Sequence, residues 1–289
     1  MRGVLGWGVH IPHRRLDRTQ IAAIAGTGGG KGTRSVASYD EDSTTMAVEA
    51  GRAAVRGAEV APASVWFATT SPTYLDKTNA TAIHAGLRLD RSVASYDAVG
   101  SVRSAVGALR SAFETSKASL AVASDVRVGR PGSPDEAAGG DAAAALLIGS
   151  ESDGPVLAEL CAYASVTEEF VDRWRVPGDA GSKLWEERFG ETKYVPLANE
   201  ALKSALDMAG IGAESVDALV VAGLHERACA AAAKTSGVAA DKIVDRLSAT
   251  VGNPGAAQPL LLLARALERA KPGQTIVLLV LSDGADALV

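Results

Sequence analysis

Two cysteines, Cys161 and Cys229, are all that the 289 residues contain. They are too few for a disulfide framework and fit the reduced thiols of a cytoplasmic protein. Aromatic residues make up only 4%, so the core is built from small side chains, and abundant Ala and Gly suggest closely packed helices and sheets. Positive charge is not in excess: 29 Lys and Arg face 34 Asp and Glu, for a net charge of −5. That balance gives no electrostatic drive toward nucleic acid or an anionic membrane, although a local basic patch could hold a phosphorylated ligand. No apolar run reaches the roughly 18 residues of a transmembrane helix. The opening MRGVLGWGVHIPHRR lacks a secretory apolar segment and reads as a strand, so the expected location is the cytoplasm.

Several motifs are missing too. Without a G-x-S-x-G elbow the chain does not read as an α/β-hydrolase. His, Cys and Asp do not cluster at metal-ligand spacing, and no metal is expected. The glycine-rich GTGGGKGT (26–33) fails the phosphate-loop spacing, because Lys31 is followed by Gly32 and no strand directly precedes it. It reads as a flexible surface loop.

What is present is a worn duplication. Residues 44–70 and 195–221 each give a helical pattern, a short Gly/Ala turn, a Ser-Val pair and an apolar strand. Residues 98–126 and 250–284 each give a Val-Gly-polar turn, an apolar helix, a Lys-containing loop and a buried strand. Self-similarity at so long a period implies duplicated domains. The copies put Ser101 and Asn253 at matching places.

Along the chain the patterns predict a strand over 3–11, with Gly6 and Gly8 allowing close backbone approach. Helices follow at 16–25 and 43–56, the latter opened by Asp40, Asp42 and Ser43, whose acids suit a helix N-terminus. Strand 65–69, helix 78–87, strand 92–96, helix 102–115, strand 119–124, a loop at 129–141 and a buried strand close the first half near residue 150. A strand at 155–162 leads into an aromatic, charged stretch with Phe170, Trp174, Trp185 and Phe189. That stretch reads as a lid, a tunnel wall, a dimer contact, or an insertion packed on the core. The second half repeats as helix 195–209, strand 216–222, helix 226–236, turn 250–255, helix 256–270 and strand 275–281.

Three polar residues stand at helix starts. Ser101 is read either as a plain N-cap or as a nucleophile whose negative charge the helix N-terminus stabilises. Asn253, in Gly-Asn-Pro, is read as a cap with Pro254 at the first helical position, or as a donor and acceptor for a water or a carbonyl oxygen. His225 follows an apolar strand, where open α/β sheets bind ligands. It is read as a surface residue, or as a base or an oxyanion donor. His10, His13 and His84 read as structural.

GVLGWGVHIPHRRL, YDEDSTTMAVEAGRAAV, GGDAAAALLIG, GLHERACAAAAKTSG and VGNPGAAQPLLLLARALERAKPGQTIVLLVLSDGADA, in that order, resemble the thiolase superfamily. The nearer likeness is to archaeal and bacterial 3-hydroxy-3-methylglutaryl-CoA synthases, and the more distant to ketoacyl-ACP synthase III. The resemblance covers nearly the whole chain. It implies an α/β thiolase-like fold, with halves at 1–150 and 151–289 (163–194 a lid or insertion) in a five-layer α-β-α-β-α sandwich. It also implies a homodimer and acyl-CoA or acyl-carrier-protein substrates, with coenzyme A as part of the substrate rather than a cofactor. His225 and Asn253 carry over as the active-site His and Asn.

Two positions depart from the family. Its nucleophilic Cys falls at Ser101 and its acid near Thr70. A serine hydroxyl needs a general base where a thiol is already partly ionised, and His225 is the candidate. Thr70, Arg188 and Lys234 are candidate substrate contacts. Arg14, Arg15 and Lys183 are further cations for coenzyme A phosphates by location. The chain is short for the family, so a separate zinc-ribbon/OB-fold partner or a lost domain is expected. Three activities follow: an acyltransferase working through acyl-Ser101, a retro-aldol lyase on β-hydroxyacyl-CoA using His225 or Tyr74, and a non-catalytic subunit of a larger complex.

Overall fold

The computed structural model describes residues 1–289, the side chain of Glu187 excepted. The chain forms two compact units, Met1–Glu159 with Leu247–Ala264, and Leu160–Arg246 with Arg265–Val289.

In the first unit the order is β1 (Arg2–His10), β2 (Arg14–Asp17), α1 (Arg18–Ala25), β3 (Thr33–Val36), α2 (Ser43–Ala54), β4 (Ser64–Thr69), α3 (Ala80–Gly86), β5 (Ala94–Val99), α4 (Arg103–Glu114), β6 (Ser119–Asp125), α5 (Pro134–Ala138), β7 (Ala142–Ser150) and β8 (Ala158–Glu159). Six strands form one sheet in the order β5-β4-β6-β7-β1-β8. β4 runs parallel to β5 and β6, and the other pairs are antiparallel. Every residue of β6 is buried, as expected of a strand covered on both faces. Met46, Ala47, Ala50 and Ala54 of α2 pack on Phe67, Leu120, Val122 and Leu147. Burial of each large side chain contributes roughly 1.5–3 kcal/mol. The expected close packing is explicit on β1, where a Cβ at Gly8 would lie 2.3 Å from the Ala50 carbonyl oxygen of α2. α2 is opened by Asp42, which accepts from the Thr44 and Thr45 amides while the Thr45 hydroxyl takes the Asp42 amide in return. This is a reciprocal capping box.

The second unit holds β9 (Tyr163–Thr167), β10 (Arg173–Trp174), β11 (Lys183–Leu184), α6 (Glu187–Ala209), β12 (Ala218–Gly223), α7 (Glu226–Thr235), β13 (Ile276–Leu281) and β14 (Gly284–Leu288), while α8 (Gln258–Leu267) begins in the first unit. Its sheet runs β12-β13-β14-β9. β12 and β13 are parallel and the next two pairs antiparallel. The succession repeats β4-β6-β7-β1, so the duplication read from sequence is a duplication of topology. The counterpart of β5 has shrunk to one parallel bridge, Leu219 to Ile243. Tyr194, Leu197, Ala198, Ala201, Leu202, Ala205 and Leu206 of α6 lie in one buried cluster with Leu219, Val221, Val277, Leu279 and Ala285, the stripe expected of a 3.6-residue period.

Several elements differ from expectation. β5 spans Ala94–Val99 rather than 92–96, and α5 lies inside the expected loop 129–141. The expected strand 155–162 is replaced by the short β8 and by β9, which starts at Tyr163. α6 begins at Glu187, eight residues before the expected start, and runs through Pro196. Proline favours a first turn and lacks an interior donor, so the sequence points to a later beginning. The segment Leu247–Ala264, read as part of the second half, packs with the first unit. Its backbone is tied there: Ser35 N–H donates to Val251 O (2.8 Å), Asn253 N–H to Ala138 O (2.8 Å), and Gly140 N–H to Asn253 O (3.1 Å).

Candidate active site

The C-terminal ends of three parallel strands meet along one sheet edge of the first unit. Thr69 pairs with Val99 and Ala68 with Ala123, so Thr70 stands level with Gly100 on one side and Asp125 on the other. This is the end of a parallel sheet where α/β proteins bind ligands.

Asp125 is fully buried, and a buried carboxylate has to be compensated. Oδ1 accepts from the Thr69 hydroxyl (2.8 Å), the Thr70 amide (2.6 Å), and the Ser71 amide and hydroxyl (3.2 Å each). Oδ2 accepts from the Thr70 hydroxyl (2.6 Å) and the Ala256 amide (2.7 Å). Six donors fill the lone-pair sites of one carboxylate. The last of them ties the 3₁₀ turn Gly255–Ala257 to the sheet edge. Just before that turn, buried Asn253 folds its Oδ1 onto the Gly255 amide at 3.1 Å. The sequence placed Pro254 at the first helical position; it instead flanks the 3₁₀ turn that leads into α8. The Thr70 hydroxyl, which donates to Asp125, also accepts from Arg127 Nη1 at 2.9 Å.

Ser101 follows Gly100 on the neighbouring strand end and is half-buried. The residue flanking α4 is Val102, and no side-chain cap closes that helix start. The Ser101 amide donates to the Ser104 hydroxyl at 3.4 Å. Plain capping therefore does not account for Ser101.

In the second unit His225 caps α7. Its Nδ1 accepts from the Ala228 amide at 3.0 Å. That bond occupies the Nδ1 lone pair, so the neutral ring carries its proton on Nε2 and presents a donor there. Gly190 of α6 makes room for it, because a Cβ on that residue would fall 2.4 Å from Nε2 and 2.3 Å from Cδ2. Arg246 braces the turn before α7, donating to Val221 O (2.7 Å), Gly223 O (3.0 Å) and Glu226 Oε2 (3.0 Å). Beside the imidazole, the Tyr194 ring lies 6.1 Å away, and its hydroxyl bonds the Asp172 carboxylate. Burial, reinforced by the Asp172 charge, pushes the Tyr194 hydroxyl well above the usual phenol range. Burial also raises the Asp172 carboxyl, against the lowering effect of the Tyr194 bond. The aromatic stretch noted in the sequence becomes a chain of ring contacts: Trp185 to Phe189 (5.6 Å), Phe189 to Phe170 (6.2 Å), and Phe170 to Tyr194 (5.0 Å).

Ser101, Thr70 and Asn253 thus lie in the first unit, and His225, Arg188 and Lys234 in the second. Lys234 is exposed in the last turn of α7, about 13 Å along the axis from His225 at 1.5 Å per residue. Arg188 is exposed at the start of α6. Lys183 reaches Asp179 at 3.7 Å, and Arg15 turns onto the Pro12 and Arg14 carbonyls. His10 bonds Glu41 (2.6 Å) and His84 bonds the Asp90 carbonyl (2.9 Å), as expected of structural histidines. Sequence reasoning missed Asp125, Arg127, Asp172 and Tyr194. An acid ending a wholly apolar strand, and one between Val171 and Arg173 in an aromatic stretch, were the available signals.

The model of the 3-oxoacyl-[acyl-carrier-protein] synthase III C-terminal domain matches residues 206–287. Hydroxymethylglutaryl-CoA synthase of Caldivirga maquilingensis is 30% identical over 299 residues, covering 98% of this chain and 85% of that protein. The synthase of Pyrococcus horikoshii is 26% identical, covering 98% and 83%. Among solved structures, 3-oxoacyl-[acyl-carrier-protein] synthase III of Aquifex aeolicus superposes with a TM-score of 0.86 at 19% identity, over 100% of this chain and 99% of that one. The enzyme from Pseudomonas aeruginosa gives 0.85 at 20%, over 99% and 96%. These two likenesses show the thiolase-like α/β fold.

Proposed function

The chain belongs to the hydroxymethylglutaryl-CoA synthase family of the thiolase superfamily, and from that premise we propose that it is a condensing acyltransferase acting on acyl-CoA or acyl-carrier-protein thioesters. The observation that carries the reading is the sheet edge on which Thr70 and the turn after Asn253 bond Asp125, with Ser101 following the strand on the other side of Thr70. In this reading Ser101 receives the acyl group. N–H groups at the α4 start and the side-chain Nδ2 of Asn253 hold the acyl oxygen. His225 donates from Nε2 to negative charge developing on a carbonyl oxygen.

The Ser101 proton is the difficult step. Asp125 has six donors on it, and the Thr70 hydroxyl is bonded on both sides, so neither is suited to accept that proton. Acylation then needs a further base, which in this reading is His225 once it takes the opposite tautomer and gives up its Nδ1 bond, so that its donation from Nε2 to a carbonyl oxygen belongs to the later transfer step. A second reading is a retro-aldol lyase without a covalent step. A base such as His225 takes the β-hydroxyl proton, and the Cα–Cβ bond breaks to leave a carbonyl product and a thioester enolate. Tyr194, held protonated by burial, returns a proton to the enolate carbon. The test is coenzyme A release from a panel of acyl-CoAs. Acyl transfer predicts release that falls at least about 100-fold in His225→Ala, the size of a general acid–base or oxyanion contribution. A lyase instead gives a shortened acyl-CoA from a β-hydroxyacyl-CoA and no free coenzyme A.

A homodimer is part of the proposal. β5 is an edge strand with Tyr96 and Val99 about half exposed, and such an edge calls for a cover. Sedimentation at micromolar concentration tests it. If the isolated chain is inert toward every thioester, co-purification of a zinc-ribbon/OB-fold protein tests the non-catalytic reading.

A further inference from the structure

Ser104 is the second residue of α4, three positions after Ser101, and is half-buried. Its hydroxyl oxygen accepts the Ser101 amide at 3.4 Å, and its own amide donates to Ser101 O at 3.1 Å. Among the described residues the hydroxyl takes that single bond and donates none. A length of 3.4 Å is well beyond the roughly 2.9–3.0 Å usual for N–H···O, so the amide is weakly held.

The space beside the pair is open. Gly100 has a φ of 140°. Apart from its chain neighbours, a Cβ built on it would meet no heavy atom nearer than Ser104 Oγ, at 4.0 Å. Ser104 is therefore the polar side chain that lines this opening next to Ser101.

The Ser101 amide is among the N–H groups that hold the acyl oxygen in the reading above, and Ser104 Oγ sits on that same N–H. In the free protein the hydroxyl oxygen thus takes the place of the oxygen that gains negative charge. A carbonyl oxygen gaining charge is a stronger acceptor than a hydroxyl, and takes over the amide. A hydroxyl changes from acceptor to donor by turning its own proton, with no movement of the backbone.

Resting on the acyl-Ser101 reading, we propose that Ser104 is a further catalytic residue, whose hydroxyl turns to donate to the acyl oxygen as Ser101 is acylated. In that step the Ser101 oxygen bonds the acyl carbon, and its proton passes to the base, His225 in that reading. The carbonyl electron pair moves onto oxygen, where the Ser101 amide and the Ser104 hydroxyl meet it. The pair then re-forms the carbonyl, the carbon–sulfur bond breaks, and the coenzyme A sulfur leaves with the proton returned by the base. A donor aimed at developing charge acts on the transition state more than on binding.

The experiment follows acylation of the full chain by intact mass against time, with acetyl-CoA, butyryl-CoA and octanoyl-CoA over a range of concentrations. Alanine suits a helix better than serine, so Ser104→Ala is expected to fold. Its maximal acylation rate is expected to fall at least about 10-fold, while the half-saturating concentration moves less than about twofold. An unchanged or faster rate in Ser104→Ala overturns the proposal and leaves acyl-Ser101 standing. So does an effect confined to the half-saturating concentration. No adduct on the wild type with any of the three donors overturns the acyl-Ser101 reading, and the proposal with it.

Discussion

Thr70 and Asp125, 55 residues apart, are joined twice: the Thr70 amide donates to Asp125 Oδ1 and its hydroxyl to Oδ2, each at 2.6 Å. The pair locks the ends of β4 and β6 together, and through Ala256 it also fixes the turn that follows Asn253. Replacing Asp125 with Asn puts an amide donor against donors and leaves buried N–H groups unpaired. The expected loss is about 3 kcal/mol of unfolding free energy, read by urea denaturation. A loss below about 0.5 kcal/mol contradicts the network.

Gly190→Ala tests how α6 accommodates His225. The new Cβ would stand 2.4 Å from Nε2, so the ring has to move and its bond to the Ala228 amide is broken or lengthened. Overpacking of this kind costs about 1–3 kcal/mol. ¹⁵N NMR of the imidazole is expected to show the Nε2–H tautomer in the wild type and a mixed population in the variant. An Nδ1–H tautomer in the wild type sinks the donor assignment.

Asp172 supplies a pH signature. Burial raises its folded-state pKa, so the folded state holds this proton more tightly than the unfolded state. Its contribution is present below the unfolded value, near 3.9, and is lost as pH rises through the raised folded value. Asp172→Asn keeps an acceptor for Tyr194 without the charge. The variant is expected to gain thermal stability over the wild type as pH rises from 4 to 7, with the difference vanishing at pH 3. The opposite trend contradicts the assignment.

Asp42 behaves in the reverse sense. Burial opposes ionisation, but hydrogen bonds from Thr44 and Thr45 prevail and hold its carboxyl below the usual range. Its contribution is present above the unfolded value and is lost as pH falls through the folded one. Asp42→Ala is expected to cost about 1 kcal/mol at pH 7 and progressively less below pH 4, followed by denaturant titration at each pH.

The features legible in the sequence are those with local causes. The Asp42 cap follows from an acid before a periodic helix. The α6 stripe follows from spacing. The repeated succession of strands follows from two copies of one pattern. What could not be read depends on distant partners. Asp125 finds donors 54 to 131 residues away, and Asp172 meets Tyr194 only once β10 and α6 are in place. Ser101 and Asn253 were legible as helix-start residues, yet the turn after Asn253 is anchored by a carboxylate that nothing nearby in the chain announces. Local propensity also misplaced the start of α6, because Pro196 suits a first turn while tertiary packing carries the helix past it.

The central claim is that an acyl group reaches Ser101. Intact-mass spectrometry of the purified chain after incubation with a panel of acyl-CoAs, with Ser101→Ala alongside, measures it directly. The account predicts an acyl mass increment on the wild type that is absent from Ser101→Ala. No increment with any donor, or an increment that persists in Ser101→Ala, contradicts it.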